Sequence, residues 1–315
     1  MKMGWGMRRL LSWLLGLGLL GGGIGLYLTA PDPLPDSAFE GLSGNAAQGE
    51  AVFWAAGCAS CHSAEGAKDA AQLALGGGQR FPSPFGTFVA PNISPDPETG
   101  IGGWSLAQFG NALLSGVSPE GQHYFPALPY AAYRNMTLQD VADLKAFMDG
   151  LPPVSQASAP HEIAFPFNIR RGVGLWKLLF LRDAWAFEAD LTAEEERGRY
   201  IAEALAHCGE CHTPRNLLGG LQRSAWLSGA PDPSGQGRIP NITPAVLTWS
   251  ADDLLAYFTT GFTPEFDSVG GHMAHVVENL SRLPESDRRA LALYLKKVPP
   301  HPGTATTAAA EGPAP

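Results

Sequence analysis

The first thirty residues differ in pattern from everything after them. Leu10 to Leu28 contains no charged side chain, and Lys2, Arg8 and Arg9 stand before it. That run of 19 residues is close to the roughly 20 needed to cross a bilayer as a helix. Cations on its N-terminal side predict an N-in, C-out orientation. A secretory signal begins in the same way, but its apolar run is usually about 7–15 residues. Thr29-Ala30-Pro31 is also a poor cleavage site. The pattern therefore predicts an anchor or signal over 1–30, and both readings place the remaining chain outside the cytoplasm: on the periplasmic side of a bacterial inner membrane if the anchor is kept, free in the periplasm if it is cut.

Beyond the anchor, apolar residues recur at helical spacing in short segments. Residues 46–56 form one segment, with Val52 and Trp54 near one face. Leu138, Val141, Leu144 and Met148 form another, behind Thr137 as a cap and with Asp140 in the favourable first turn. Thr192 and Glu195 make a capping box, and Tyr200, Ile201, Ala204 and Leu205 are the stripe that follows. Pro284 suits a first helical position before the stripe Ala290, Leu291, Tyr294 and Leu295. The prediction is a mainly α chain. A Pro-rich spacer covers 31–43, and residues 300–315 read as a disordered tail.

The chain also repeats itself. Cys58 and Cys208 lie 150 residues apart, and Pro91-Asn92-Ile93-Ser94-Pro95 recurs 149 residues later as Pro240-Asn241-Ile242-Thr243-Pro244. Trp104-Ser105 recurs as Trp249-Ser250, and Gly116 as Gly261, both at a spacing of 145. Two copies of one unit are expected, over 44–155 and 191–299, with 156–190 as the linker.

Composition sharpens this picture. Gly (38) and Pro (27) make up about a fifth of the 315 residues, which argues against long sheets or large bundles. A net charge of −9 without a basic stripe argues against nucleic acid as a partner.

The four cysteines fall as Cys58-Ala59-Ser60-Cys61-His62 and Cys208-Gly209-Glu210-Cys211-His212. Each is a CxxCH, the pattern of covalent c-type haem attachment. Two thiols one helical turn apart reach the two vinyl groups of one haem, and the adjoining histidine sits under the iron. A redox CxxC needs no following histidine, and a gap of 150 residues is far from zinc-ribbon spacing. The expected cofactors are two covalently bound haem c groups, with His62 and His212 as proximal ligands.

The sixth ligands differ between the copies. In the second copy Met273, within Gly271-His272-Met273-Ala274, is the only methionine after His212; His272 and His275 compete with it. In the first copy Leu128 stands where a methionine is expected. Met136, just before the helix cap, is the expected ligand there, with His123 or an open site as the alternatives. Asn92, Trp104, Asn241 and Trp249 are candidates for the haem pocket. Asn92-Ile93-Ser94 and Asn241-Ile242-Thr243 also match the glycosylation sequon, a short pattern that matches often by chance.

Phe85-Gly86-Thr87, the stretches 90–105, 123–130 and 165–172, His207-Cys208-Gly209-Glu210-Cys211-His212 and Gly271-His272-Met273-Ala274-His275 follow one another in this order. Together they resemble the cytochrome c subunits of periplasmic membrane-bound alcohol, gluconate and sugar dehydrogenases. Several members have three haem modules, and members often have methionine where this chain has Leu128. The resemblance implies an electron-transfer subunit or a stand-alone relative, with redox proteins (a dehydrogenase, another cytochrome or an oxidase) as partners. The sequence has no GxGxxG after a strand, no nucleophile motif and no zinc signature, so nothing in it marks a substrate-oxidising centre. The expected function is a membrane-tethered electron relay between a dehydrogenase or quinol-linked donor and a downstream haem protein or oxidase. The alternative is an enzyme in which an open first haem acts on a small molecule of the peroxide or thiosulfate type.

Overall fold

In the computed structural model, residues 5–233 and 237–303 are described. The apolar run forms α1 (Trp5–Leu28), 24 residues long and exposed along its described length. It starts five residues before the uncharged run because Trp5, Gly6 and Met7 continue the helix past the two arginines.

The first half contains α2 (Ala46–Ala55), α3 (Cys58–His62), α4 (Leu106–Leu114), α5 (Tyr130–Tyr133) and α6 (Leu138–Met148). Asn45 caps α2, accepting from Ala47 N at 3.0 Å, and Thr137 caps α6, accepting from Asp140 N at 3.0 Å. Ser105 and Gln108 close a capping box on α4. After α7 (Arg170–Phe180), the second half contains α8 (Ala193–Tyr200), α9 (Cys208–His212), α10 (Ala251–Thr260), α11 (Gly271–Ser281) and α12 (Glu285–Leu295). Thr192 and Glu195 form the expected box on α8. The stripe after it is less regular than its spacing suggests, because Ile201–Leu205 continues α8 as one π turn. Pro284 is the residue before α12 rather than its first turn; its extended ψ of 146° ends the preceding segment.

Two crossings hold the halves together internally, and they are copies of each other. α2 packs across α6 at Gly49, where a Cβ would collide with the Asp143 carbonyl. α8 packs across α12 at Gly198, where a Cβ would collide with the Ala290 carbonyl. Only glycine allows backbones this close. Asp143 and Ala290 differ by 147, as do the two ends of α6 and α12. The isolated bridges Val117–His123 and Phe262–Ser268 differ by 145 at both ends.

The segment expected as a linker has structure of its own. β1 (Arg80–Ser83) and β2 (Gly86–Val89) pair antiparallel, Arg80 opposite Val89, and β3 (Glu162–Ile163) adds to the open edge of β2. The amphipathic α7 follows. A second small ladder joins β4 (Ala230–Pro231) to β5 (Arg238–Ile239). At the C-terminus, residues 301–303, within the expected tail, pack on the second half through His301; the rest of that expectation, from 304 onward, lies outside the described residues.

One apolar core runs through both halves. It includes Phe53, Leu144 and Met148 of the first, and Leu205, Leu254 and Leu291 of the second.

Candidate haem attachment sites

Both CxxCH motifs are single helical turns. One residue with positive φ precedes each: Gly57 at 67° and His207 at 40°. This sharp entry lets α3 and α9 branch away from the helices before them. All four thiols are unpaired; Cys58 and Cys208 are half-buried, and Cys61 and Cys211 are exposed. Burial pushes the Cys58 thiol up to about 12, as it does that of Cys208.

The histidines are held identically. His62 Nδ1 lies 2.8 Å from the Pro91 carbonyl, and His212 Nδ1 lies 2.8 Å from the Pro240 carbonyl. A carbonyl can only accept, so Nδ1 carries the proton and Nε2 keeps its lone pair. Burial pulls both rings below the ordinary imidazole range, against the opposite pull of the carbonyls. Neutral imidazole with a free Nε2, beside two thiols one turn apart, is the donor set a covalently bound haem iron needs.

The Pro-Asn-Ile motifs supply those carbonyls and are clamped in place. Asn92 Nδ2 donates to the Val154 and Gln156 carbonyls at 2.7 and 3.0 Å, and its Oδ1 accepts from Ser94 N at 2.9 Å. Asn241 repeats this with the His301 carbonyl at 2.8 Å and Thr243 N at 2.9 Å. Ser94 Oγ and Thr243 Oγ1 accept from Val154 N and His301 N. The asparagine and hydroxyl of each sequon match are thus partners in a buried clamp. Trp104 and Trp249 sit half-buried against the core, and neither indole N–H has a partner among the described residues.

Met273 lies half-buried in the first turn of α11. Continuing the spacing of 145 from the two bridges sets it against Leu128 of the first half. Met136 is 6% exposed in the core, directly before the Thr137 cap. Its place in the second half is taken by Leu283, 4% exposed directly before Pro284. His123 Nε2 lies 3.0 Å from the Thr29 carbonyl at the exit of α1, while its buried Nδ1 has no hydrogen-bond partner among the described residues.

The two halves meet beside the motifs. Asn279 Nδ2 on α11 donates to Ser60 Oγ inside the first motif at 2.8 Å. Tyr133 donates to the Ala56 carbonyl at 2.8 Å, and its ring meets His207 edge-on at 5.7 Å. His207 is a site residue that the motif alone does not reveal. Its only signal is that it stands where the first copy has Gly57.

A small, mostly helical fold with CxxCH on a helix and a carbonyl-oriented histidine defines a c-type cytochrome. The family model described as Cytochrome c matches residues 46–152. The chain is 57% identical to "Diheme cytochrome c-type" of Cereibacter sphaeroides over 293 residues, 93% of this chain and 99% of that one. It is 37% identical to the fructose dehydrogenase cytochrome subunit of Gluconobacter japonicus, covering 89% of this chain and 57% of that one. It is 34% identical to the gluconate 2-dehydrogenase cytochrome c subunit of Pantoea cypripedii, covering 80% and 59%. The chain belongs to the dihaem c-type cytochromes. It has two covalently bound haem c groups and transfers electrons. It spans somewhat over half the length of the fructose and gluconate dehydrogenase subunits that it resembles.

Proposed function

We propose that this chain is a membrane-tethered electron relay on the periplasmic side of the bacterial inner membrane. It takes electrons from a dehydrogenase or a quinol-linked donor and passes them to another cytochrome or an oxidase. The packing of the two halves around the motifs carries this reading: Ser60 bonded to Asn279, and Tyr133 set between the Ala56 carbonyl and the His207 ring, put both cofactor sites in one continuous core. Each haem, when bound, supplies a one-electron iron couple.

The tandem haem modules are 44–155 and 191–299, each closed by its glycine crossing. Cys58, Cys61 and His62 hold the first cofactor, and Cys208, Cys211 and His212 the second. Pro91 and Pro240 fix the two histidine rings, while Asn92 and Asn241 fix the loops that carry those carbonyls. The unpaired indole N–H groups of Trp104 and Trp249 are assigned to the pocket edges. Met273 is assigned as sixth ligand of the second iron. Met136 is assigned to packing, because leucine fills the same position in the other module and leucine cannot bind iron.

Leu128 favours a second reading, in which the first haem keeps an exchangeable position and acts on a small molecule. Carbon monoxide added to the reduced holoprotein separates the two. If none binds, both irons are six-coordinate and the relay reading stands alone. If one molecule binds per chain, at the first haem, a reactive site is added to it.

A further inference from the structure

Outside α1, twelve large apolar side chains are exposed among the described residues, and eight lie in two stretches, Phe165 to Leu179 and the loop tip Leu217-Leu218. The stretches touch. Trp176 Nε1 on α7 donates to the Leu218 carbonyl at 3.0 Å. The Phe167 ring meets Phe85 edge-on at 5.0 Å, and Phe85 lies beside Gly219.

α7 is two-faced. Val173, Gly174 and Lys177 turn inward, and Lys177 Nζ donates to the Ser115 and Gly116 carbonyls at 2.6 and 2.8 Å. Leu175, Leu178 and Leu179 turn outward, 51%, 50% and 45% exposed. A concentrated apolar patch on a soluble face marks an interaction site.

The neighbour of this patch says what covers it. Arg171 donates to the Leu26 carbonyl in the last turn of α1. α7 presses on the Thr29 carbonyl so closely that a Cβ on Gly174 would collide with it. The His123 ring meets the same carbonyl, its Nε2 at 3.0 Å and also close beside Gly174. The patch is thus fixed to the level where the apolar run of α1 ends, which is where the edge of the hydrocarbon layer falls. Segment 164–182 also has four cations (Arg170, Arg171, Lys177 and Arg182) and no acidic residue, in a chain of net charge −9. That local sign suits anionic lipid headgroups.

We propose that α7, with Phe165 to Ile169 and the Leu217-Leu218 tip, lies in the membrane interface, its apolar face among the headgroups and upper acyl chains of phospholipid. It is a monotopic contact beside a spanning helix. This rests on the reading that α1 crosses the bilayer. With both contacts made, the haem-bearing helices are held at a fixed height and tilt instead of swinging on the 31–43 spacer.

The four native thiols are consumed by haem, so a cysteine added to the holoprotein is its one free thiol. Leu178→Cys and Leu217→Cys, each labelled with a nitroxide, are reconstituted in vesicles of phosphatidylcholine and phosphatidylglycerol; Asp252→Cys, on the exposed face of α10, is the control. Unchanged haem absorbance shows that each variant folds, and Leu217, 99% exposed, tolerates substitution even if Leu178 does not. The expected result is higher collision with oxygen than with a water-soluble nickel chelate at Leu178 and Leu217, and the reverse at Asp252. If the protein floats with the vesicles but all three labels prefer the nickel chelate, the interfacial contact is overturned and the anchor survives. If the protein fails to float, the anchor reading falls and takes this proposal with it.

Discussion

Residue types are exchanged between two equivalent pairs of positions. Leu128 and Met273 correspond at a spacing of 145, and Met136 and Leu283 at 147. Each module has one sulfur at one of the two places, but only Met273 stands where a ligand is expected. Met273→Leu should abolish the methionine–iron charge-transfer band and lower the potential of one haem, because thioether ligation raises it. Haem content should not change. Met136→Leu should leave the band intact and cost less than about 1.5 kcal/mol in denaturant unfolding, as size-matched core exchanges do. A band lost on Met136→Leu would make that residue a ligand. The attachment residues were legible because CxxCH is a chemical pattern that spacing alone specifies. Asn92 and Asn241 were legible as pocket candidates through the repeated Pro-Asn-Ile motif, but their clamp was not: Asn92 and Ser94 reach partners more than fifty residues away, at Val154 and Gln156, and no local rule carries that information. His207 was invisible for a similar reason, since its importance comes from meeting Tyr133 across the two halves.

At the scale of elements, the crossings carry the fold. Gly198→Ala sets a methyl group against the Ala290 carbonyl and should force α8 and α12 apart. Overpacking of this kind costs about 1–3 kcal/mol, read as a lowered denaturation midpoint with haem still attached. Gly172→Ala, on the outward side of α7 with open space around it, should raise the midpoint slightly or leave it unchanged, which separates a steric cause from a general cost of losing glycine. The segments were readable to within a residue or two: α2, α6 and α8 begin directly after the capping side chains of Asn45, Thr137 and Thr192, and α12 begins directly after Pro284. α7 was not readable. Its apolar face is interrupted by two glycines and four cations lie within or beside it, so it reads as a linker until α1 and the 214–221 loop are seen to hold it. The π turn was hidden for a different reason. Ile201, Ala204 and Leu205 fit helical spacing, and the slip shows only where the backbone must bend toward α9.

At the scale of the molecule, the two repeated halves make one unit through side chains that reach from one to the other. Tyr200 donates to Asp140 and accepts from Thr137 N at 3.1 Å, Gln72 donates to Glu278 at 2.9 Å, and the Arg282 guanidinium lies 4.0 Å over the Trp54 ring. These contacts tie the cap of α6, and the Trp54 and Gln72 flanks of the first motif, to the second half. The two attachment sites therefore sit in one core. A chain that relays electrons gains from this arrangement, because transfer between its two sites needs no diffusion. Flash reduction of the holoprotein by less than one electron per chain, followed at the optical bands of the two haems, tests that claim most directly. The account predicts that the electron redistributes between the two haems at a rate independent of protein concentration. A redistribution rate that rises in proportion to concentration would mean that electrons pass only between molecules, and would contradict it.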